Sequence, residues 1–225
     1  MKRLFLIFLI FFLSGCATYI EKRVPDLGVT SPEMAVEPPP VIMTVFEHEH
    51  QMEGDKKDWA TEITDPMYRE AFAEASKKSP IMRKASEAPT EDVNYILFLD
   101  TINNEHGQAM AIISGLSLMI LPTFPSVSHI VKASLYEAAT NLEVAAFEAR
   151  TEQTTVIWLP LLPFTPITMI MAPGRQESID PCFTDVFIQI AQAIQDRPMP
   201  AAVPASKIKI KKEPEHIKRT IRIAN

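Results

Sequence analysis

Residues 93–102 read VNYILFLDTI. Tyr95, Leu97 and Leu99 alternate with Ile96 and Phe98, so large apolar groups stand on both faces of an extended chain. A strand of this kind belongs at the centre of a sheet covered on both sides. His106 and Gly107 close it.

Toward the N-terminus, residues 41–47 (VIMTVFE) form another apolar, β-branched run, expected as a strand buried on both faces. His48, Glu49 and His50 continue it. Between the two strands, Asp65-Pro66 offers an N-cap followed by a proline suited to the first helical position. Tyr68, Ala71, Phe72 and Ala75 follow at helical spacing, Lys77 and Lys78 complement the C-terminal dipole, and Pro80 ends the run. A helix over 65–78 and a short, weak strand over 81–86 are expected.

Toward the C-terminus, residues 127–137 and 142–150 read as a β-hairpin, with Asn141 able to take a left-handed turn conformation. Leu135, Ala138, Ala139, Leu142, Ala146 and Ala149 also fit helical spacing, and Ala and Glu favour a helix; the hairpin is the preferred reading. Asp180-Pro181 repeats the Asp-Pro helix start. Phe183, Val186, Phe187, Ile190, Ala191 and Ile194 then make a regular apolar stripe, and Pro198, Pro200 and Pro204 close the domain. The order of elements predicts an α+β two-layer sandwich over 41–196, a mixed sheet with its helices on one face.

Two stretches do not fit this scheme. Residues 106–131 and 153–174 contain no Asp, Glu, Lys or Arg. Within them, 110–121 (MAIISGLSLMIL) and 156–171 are strongly apolar, and the second is interrupted by Pro160, Pro163 and Pro166. Those prolines remove backbone donors and forbid a regular helix or a central strand. Three readings stand: the segments are core, they are a surface that docks a partner, or they enter lipid. They are expected side by side, forming one apolar surface at one end of the sheet. Trp158, Leu161 and Phe164 would be the partner or lipid contacts.

The chain opens with MKRLFLIFLIFFLSGC. Lys2 and Arg3 precede an apolar run over 4–13 that is too short for a permanent membrane span and reads as a cleavable export signal over 1–15. Leu13-Ser14-Gly15-Cys16 resembles the lipobox of bacterial lipoproteins. The resemblance implies that Cys16 is the first mature residue and carries the lipid, palmitate included. In such proteins an aspartate after the cysteine typically retains the chain at the inner membrane. Ala17 stands there instead, so the resemblance implies the periplasmic face of the outer membrane. Residues 16–40 hold Pro25, Pro32 and Pro38-Pro39-Pro40 and read as a stiff tether. In element order alone, residues 41–195 are similar to the small α/β domains of envelope lipoproteins of the TolB N-terminal type.

Charge divides the chain. From 16 to 196 there are 12 Lys or Arg against 26 Asp or Glu, a net of −14; from 197 to 225 there are 8 against 2, a net of +6. The acidic body excludes nucleic acid as a partner, since that needs a cationic face. The tail over 197–225 reads as solvated and disordered, able to meet anionic lipid or an acidic partner.

Chemistry is sparse. His48 and His50 share one face of a strand, with Glu47, Glu49, His106 and His129 elsewhere, but no third metal ligand is evident. They read as a polar strand end. Cys182, with Cys16 the only other cysteine, reads as a small residue at the edge of the helix stripe. No phosphate loop, Gly-x-Ser-x-Gly, Cys-x-x-Cys or His-Glu-x-x-His motif occurs. The expectation is a lipid-anchored envelope protein without enzymatic activity or cofactor, held to the membrane by its lipid and binding an envelope partner. The alternative is a structural or transport role in which 110–121 and 156–171 contact lipid. An enzyme would need His48, His50 and Cys182 in one pocket.

Overall fold

The computed structural model describes residues 17–24, 38–107, 112–113, 123–156, 175–195, 197–211 and 220–223. They form an α+β fold in which two helices lie on one face of a mixed sheet. The strands are β1 (Ala17–Val24), β2 (Ile42–Met52), β3 (Asp55–Lys56), β4 (Ala85–Ser86), β5 (Tyr95–His106), β6 (Ser126–Glu137) and β7 (Glu143–Val156). The helices are α1 (Asp58–Lys78) and α2 (Arg175–Gln195). The sheet order is β1-β7-β6-β5-β2-β3, with β4 beside β2. β2 pairs in parallel with β5 and β4; the other pairings are antiparallel. Parallel neighbours need a long crossover, and α1 supplies it.

The alternation of side chains decides the layers. Ile42 and Phe46 of β2, Tyr95, Leu97 and Leu99 of β5, and Val131, Ala133 and Leu135 of β6 face the helices. Phe72 of α1 joins them, its ring 5.8 Å from Phe46 and 5.8 Å from Phe183 of α2. Burying such side chains is worth about 1.5–3 kcal/mol each. The expected stripe of α2 is buried in this layer from Phe183 to Ile194. On β5, Ile96 and Phe98 face the other way and are covered too, so the central strand is buried on both sides from Tyr95 to Leu99. β2 is not: its residues alternate between buried and half-buried, because Met43 and Val45 on its outer face are only partly covered.

The hairpin reading of 132–150 holds, with Asn141 at φ 59°. Two residues suffice to join β2 to β3, Glu53 and Gly54, both at positive φ, the backbone a tight hairpin requires. Gly107 also has positive φ, and a Cβ there would meet the Pro125 Cα at 3.2 Å.

Four expectations need correction. α1 begins at Asp58 rather than Asp65, and α2 at Arg175 rather than Asp180, so Pro66 and Pro181 lie inside their helices. The early turns of α1 were hidden because their buried positions are the small Ala60 and Thr64. The weak strand of 81–86 shrinks to Ala85–Ser86, and Ile81 and Met82 are buried in a turn. The tether of 16–40 loses its first part: Ala17–Val24 pairs with β7 as the sheet's edge. The tail is not all solvated. Val203 bridges Val93, and β8 (Ile208–Lys211) pairs with β9 (Thr220–Ile223). Ile208 packs with Val41, Val93, Ile96 and Phe98, closing the face away from the helices.

Candidate functional site

Two features stand out, a buried polar layer and the end of the sheet next to it. The layer follows from strand register. His50 lies beside Asn103, Asn103 beside His129, and His129 beside Thr151, one row across β2, β5, β6 and β7. Their side chains continue the inward parity set by Leu97 and Leu99. His50, Asn103, His129 and Thr151 are all buried, at 2% exposure or less. Buried polar groups require partners, and the helices supply them. Tyr68 of α1 places its hydroxyl 2.6 Å from His129 Nδ1. Cys182 of α2 sits with its Sγ 3.0 Å from Thr151 Oγ1. Asn103 Nδ2 donates to His50 Nδ1 at 3.1 Å, which leaves the proton of a neutral His50 on Nε2, 3.5 Å from Glu105 Oε1.

His48, one row away, stacks on Tyr68 with centroids 4.1 Å apart. Its Nε2 is 2.7 Å from Thr64 Oγ1, and its Nδ1 is 2.9 Å from Thr101 Oγ1. Thr64 already donates to the Ala60 carbonyl at 2.8 Å and Thr101 to the Glu47 carbonyl at 3.2 Å, so both hydroxyls meet the ring with their oxygens. Burial lowers its pKa to about 4, with Asp65 partly opposing the shift.

The layer thus unites His48 and His50, expected on one face of a strand, with His129 and Cys182, which the sequence left apart. Glu49 lies off it, accepting from Gln51 Nε2 at 2.6 Å, and His106 faces Glu53 at 3.8 Å. Among the described residues no three His, Cys, Asp or Glu side chains converge as a metal would need. Tyr68, Thr64, Asn103 and Thr151 were missed. The signal that could have found them is parity, since 101 and 103 continue the inward series of 95, 97 and 99.

The polar layer lies toward the end of the sheet where β5 stops and β6 begins. His106 pairs with Ser126, Ser126 with Thr154, and Thr154 with Tyr19. Just beyond this row come Gly107, Thr123 and Val156, the described neighbours of the two uncharged segments. Thr155 N donates to Pro125 O at 2.9 Å, so the exit from the first segment is bonded to the approach to the second. Ser178 near the start of α2 donates to Gln153 Oε1 at 2.9 Å and brings the far end of the second segment to the same place. Ala17 pairs with Val156 there. Cys16, Trp158, Leu161 and Phe164 lie outside the described residues.

Exposed apolar groups gather at this end. Trp59, in the first turn of α1, is 59% exposed, Ile63 one turn later 69%, and Phe124 58%. Ile112 and Ile113, which follow Gly107 in the chain, are exposed as well. The far end shows Leu142 and Met199. No helix among the described residues is long and apolar enough to cross a membrane.

No protein-family model matches the chain, and no curated protein matches it. Among solved structures it is similar to a candidate lipoprotein from Caulobacter crescentus, with 16% identity and a TM-score of 0.32 over 69% of this chain and 88% of that one. It is also similar to a protein from Xanthomonas campestris of the DUF330 family, with 15% identity and a TM-score of 0.31 over 72% of this chain and 91% of that one. At these values neither likeness carries an argument about function.

Proposed function

We propose that this chain is a lipid-anchored envelope lipoprotein on the periplasmic face of the outer membrane, acting as a non-enzymatic accessory that binds an envelope partner. Its lipobox-like Leu13-Ser14-Gly15-Cys16 and the alanine at position 17 support the location. The observation that carries the reading is the pairing of Ala17 with Val156, which places the residue bonded to Cys16 in the edge strand of a folded domain. The buried polar layer supports a structural role, because a substrate would have to displace the helices to reach His50, His129 or Cys182. The test is Cys16→Ala with cell fractionation. Altered processing and loss from the outer-membrane fraction are expected; unchanged processing with full membrane association would sink the anchor.

A second reading has its own support. The flanks of both uncharged segments meet at the end where Ala17 lies, which favours contact of 110–121 and 156–171 with lipid in a structural or transport role. Retention of the Cys16→Ala protein in membranes after alkaline washing, released only by detergent, would favour this reading over the anchor alone.

A further inference from the structure

We propose that the domain stands on the bilayer by its anchor end, with Trp59, Ile63 and Phe124 seated in the interfacial zone of the lipid. The inference rests on the lipid-anchor reading and deepens it. β1 begins at Ala17, so paired structure starts one residue after the cysteine. One residue of strand advances about 3.3 Å. A domain with so short a lead cannot be held away from the surface in which its lipid is embedded.

What that end presents suits an interface. α1 starts directly after the β2–β3 hairpin, where Lys57 N donates to His50 O at 2.8 Å, so Trp59 lies near the end of the sheet at which β2 and β5 stop. Phe124 lies between Thr123 and Pro125, whose Cα faces Gly107. Tryptophan favours the membrane–water boundary, where its ring is half in hydrocarbon and its N–H stays hydrated. The hairpin beside it pairs Lys56 with Asp58 and Lys57 with Asp55, each at 3.6 Å, and adds Glu53 in its turn. That tip has no cationic excess. Attachment is therefore apolar, and zwitterionic lipid suffices without anionic headgroups.

The test uses the full lipidated protein in phosphatidylcholine vesicles with brominated acyl chains. Emission is compared between wild type and Trp59→Phe, and the difference isolates Trp59. Trp59 is more than half exposed, so the variant keeps its fold. Blue-shifted Trp59 emission that bromine quenches and iodide does not reach is the expected result. If the protein sediments with vesicles through Cys16 while Trp59 stays red-shifted and open to iodide, the docking is overturned and the anchor survives. Blue-shifted emission without bromine quenching means that protein covers Trp59, a second copy included, and overturns the docking as well. A protein without acyl groups at Cys16 overturns both.

Discussion

Ala17 and Val156 face each other across an antiparallel pair at the edge of the sheet. One is bonded to the cysteine of the lipobox-like sequence; the other opens the apolar segment of the second uncharged stretch. The pairing sets the residue that follows Cys16 beside the start of the second apolar segment, at the edge of the sheet. It also changes what the residues after Cys16 do. They extend the sheet where a tether was expected.

Backbone amides in a strand are protected from exchange, whereas those of a tether are not. Hydrogen exchange on the mature protein should therefore show slowed amides within 17–24. Placing proline at Tyr19 should release that protection and leave β5 and β6 unchanged. Exchange of 17–24 at unprotected rates in the wild type would return these residues to the tether.

His48 predicts a pH dependence. Its pKa in the folded chain is about 4, against 6.5 when unfolded. As pH falls through 6.5 the unfolded state takes up a proton that the folded state refuses, so stability is lost between pH 6.5 and 4 and this contribution levels off below. The groups facing the ring are Thr64, Asp65, Tyr68 and Arg69 of α1 with His50 and Thr101 of the sheet. Thermal melts of wild type and His48→Gln across that window should diverge, the variant showing the shallower loss. Parallel curves would mean that His48 does not titrate as described.

Tyr68→Phe keeps the stacking on His48 and removes the hydroxyl 2.6 Å from His129 Nδ1. The loss leaves a buried ring nitrogen short of a partner and should cost about 1–3 kcal/mol in denaturant unfolding. Phe183→Ala, by contrast, opens the aromatic cluster between the helices and should cost about 3–5 kcal/mol. A neutral Tyr68→Phe would show that the polar layer does not hold α1 to the sheet.

Much of the core was legible in the sequence. Residues 93–102 announced a central strand because apolar groups occupy both parities, and the stripe from Phe183 to Ile194 announced α2. The hairpin over 132–150 was harder, since alanines serve either period; strand pairing with the strongly apolar β5 decided it. The early turns of α1 were hidden behind Ala60 and Thr64, and a proline on the exposed side of a helix looks the same in sequence as one at its start. The polar layer could not be read from motifs, because its members come from four strands and two helices and only register assembles them. The tail was misread because its lysines dominate, while the contacts that dock it are few and apolar, Val203 across from Val93 and the buried Ile208.

That contact makes a prediction of its own. Ile208→Ser should uncover part of Ile96 and Phe98 and cost roughly 1.5–3 kcal/mol, read by thermal or denaturant unfolding. No change on this substitution would restore the tail as a solvated appendage.

The mass of the N-terminal tryptic peptide of the mature protein, which runs from Cys16 to Lys22, tests the central claim most directly. The account predicts a chain that begins at Cys16 and carries diacylglycerol on its sulfur, with added acyl mass that Cys16→Ala abolishes. A mature chain that begins at any other residue, or a Cys16 with a free thiol, contradicts it.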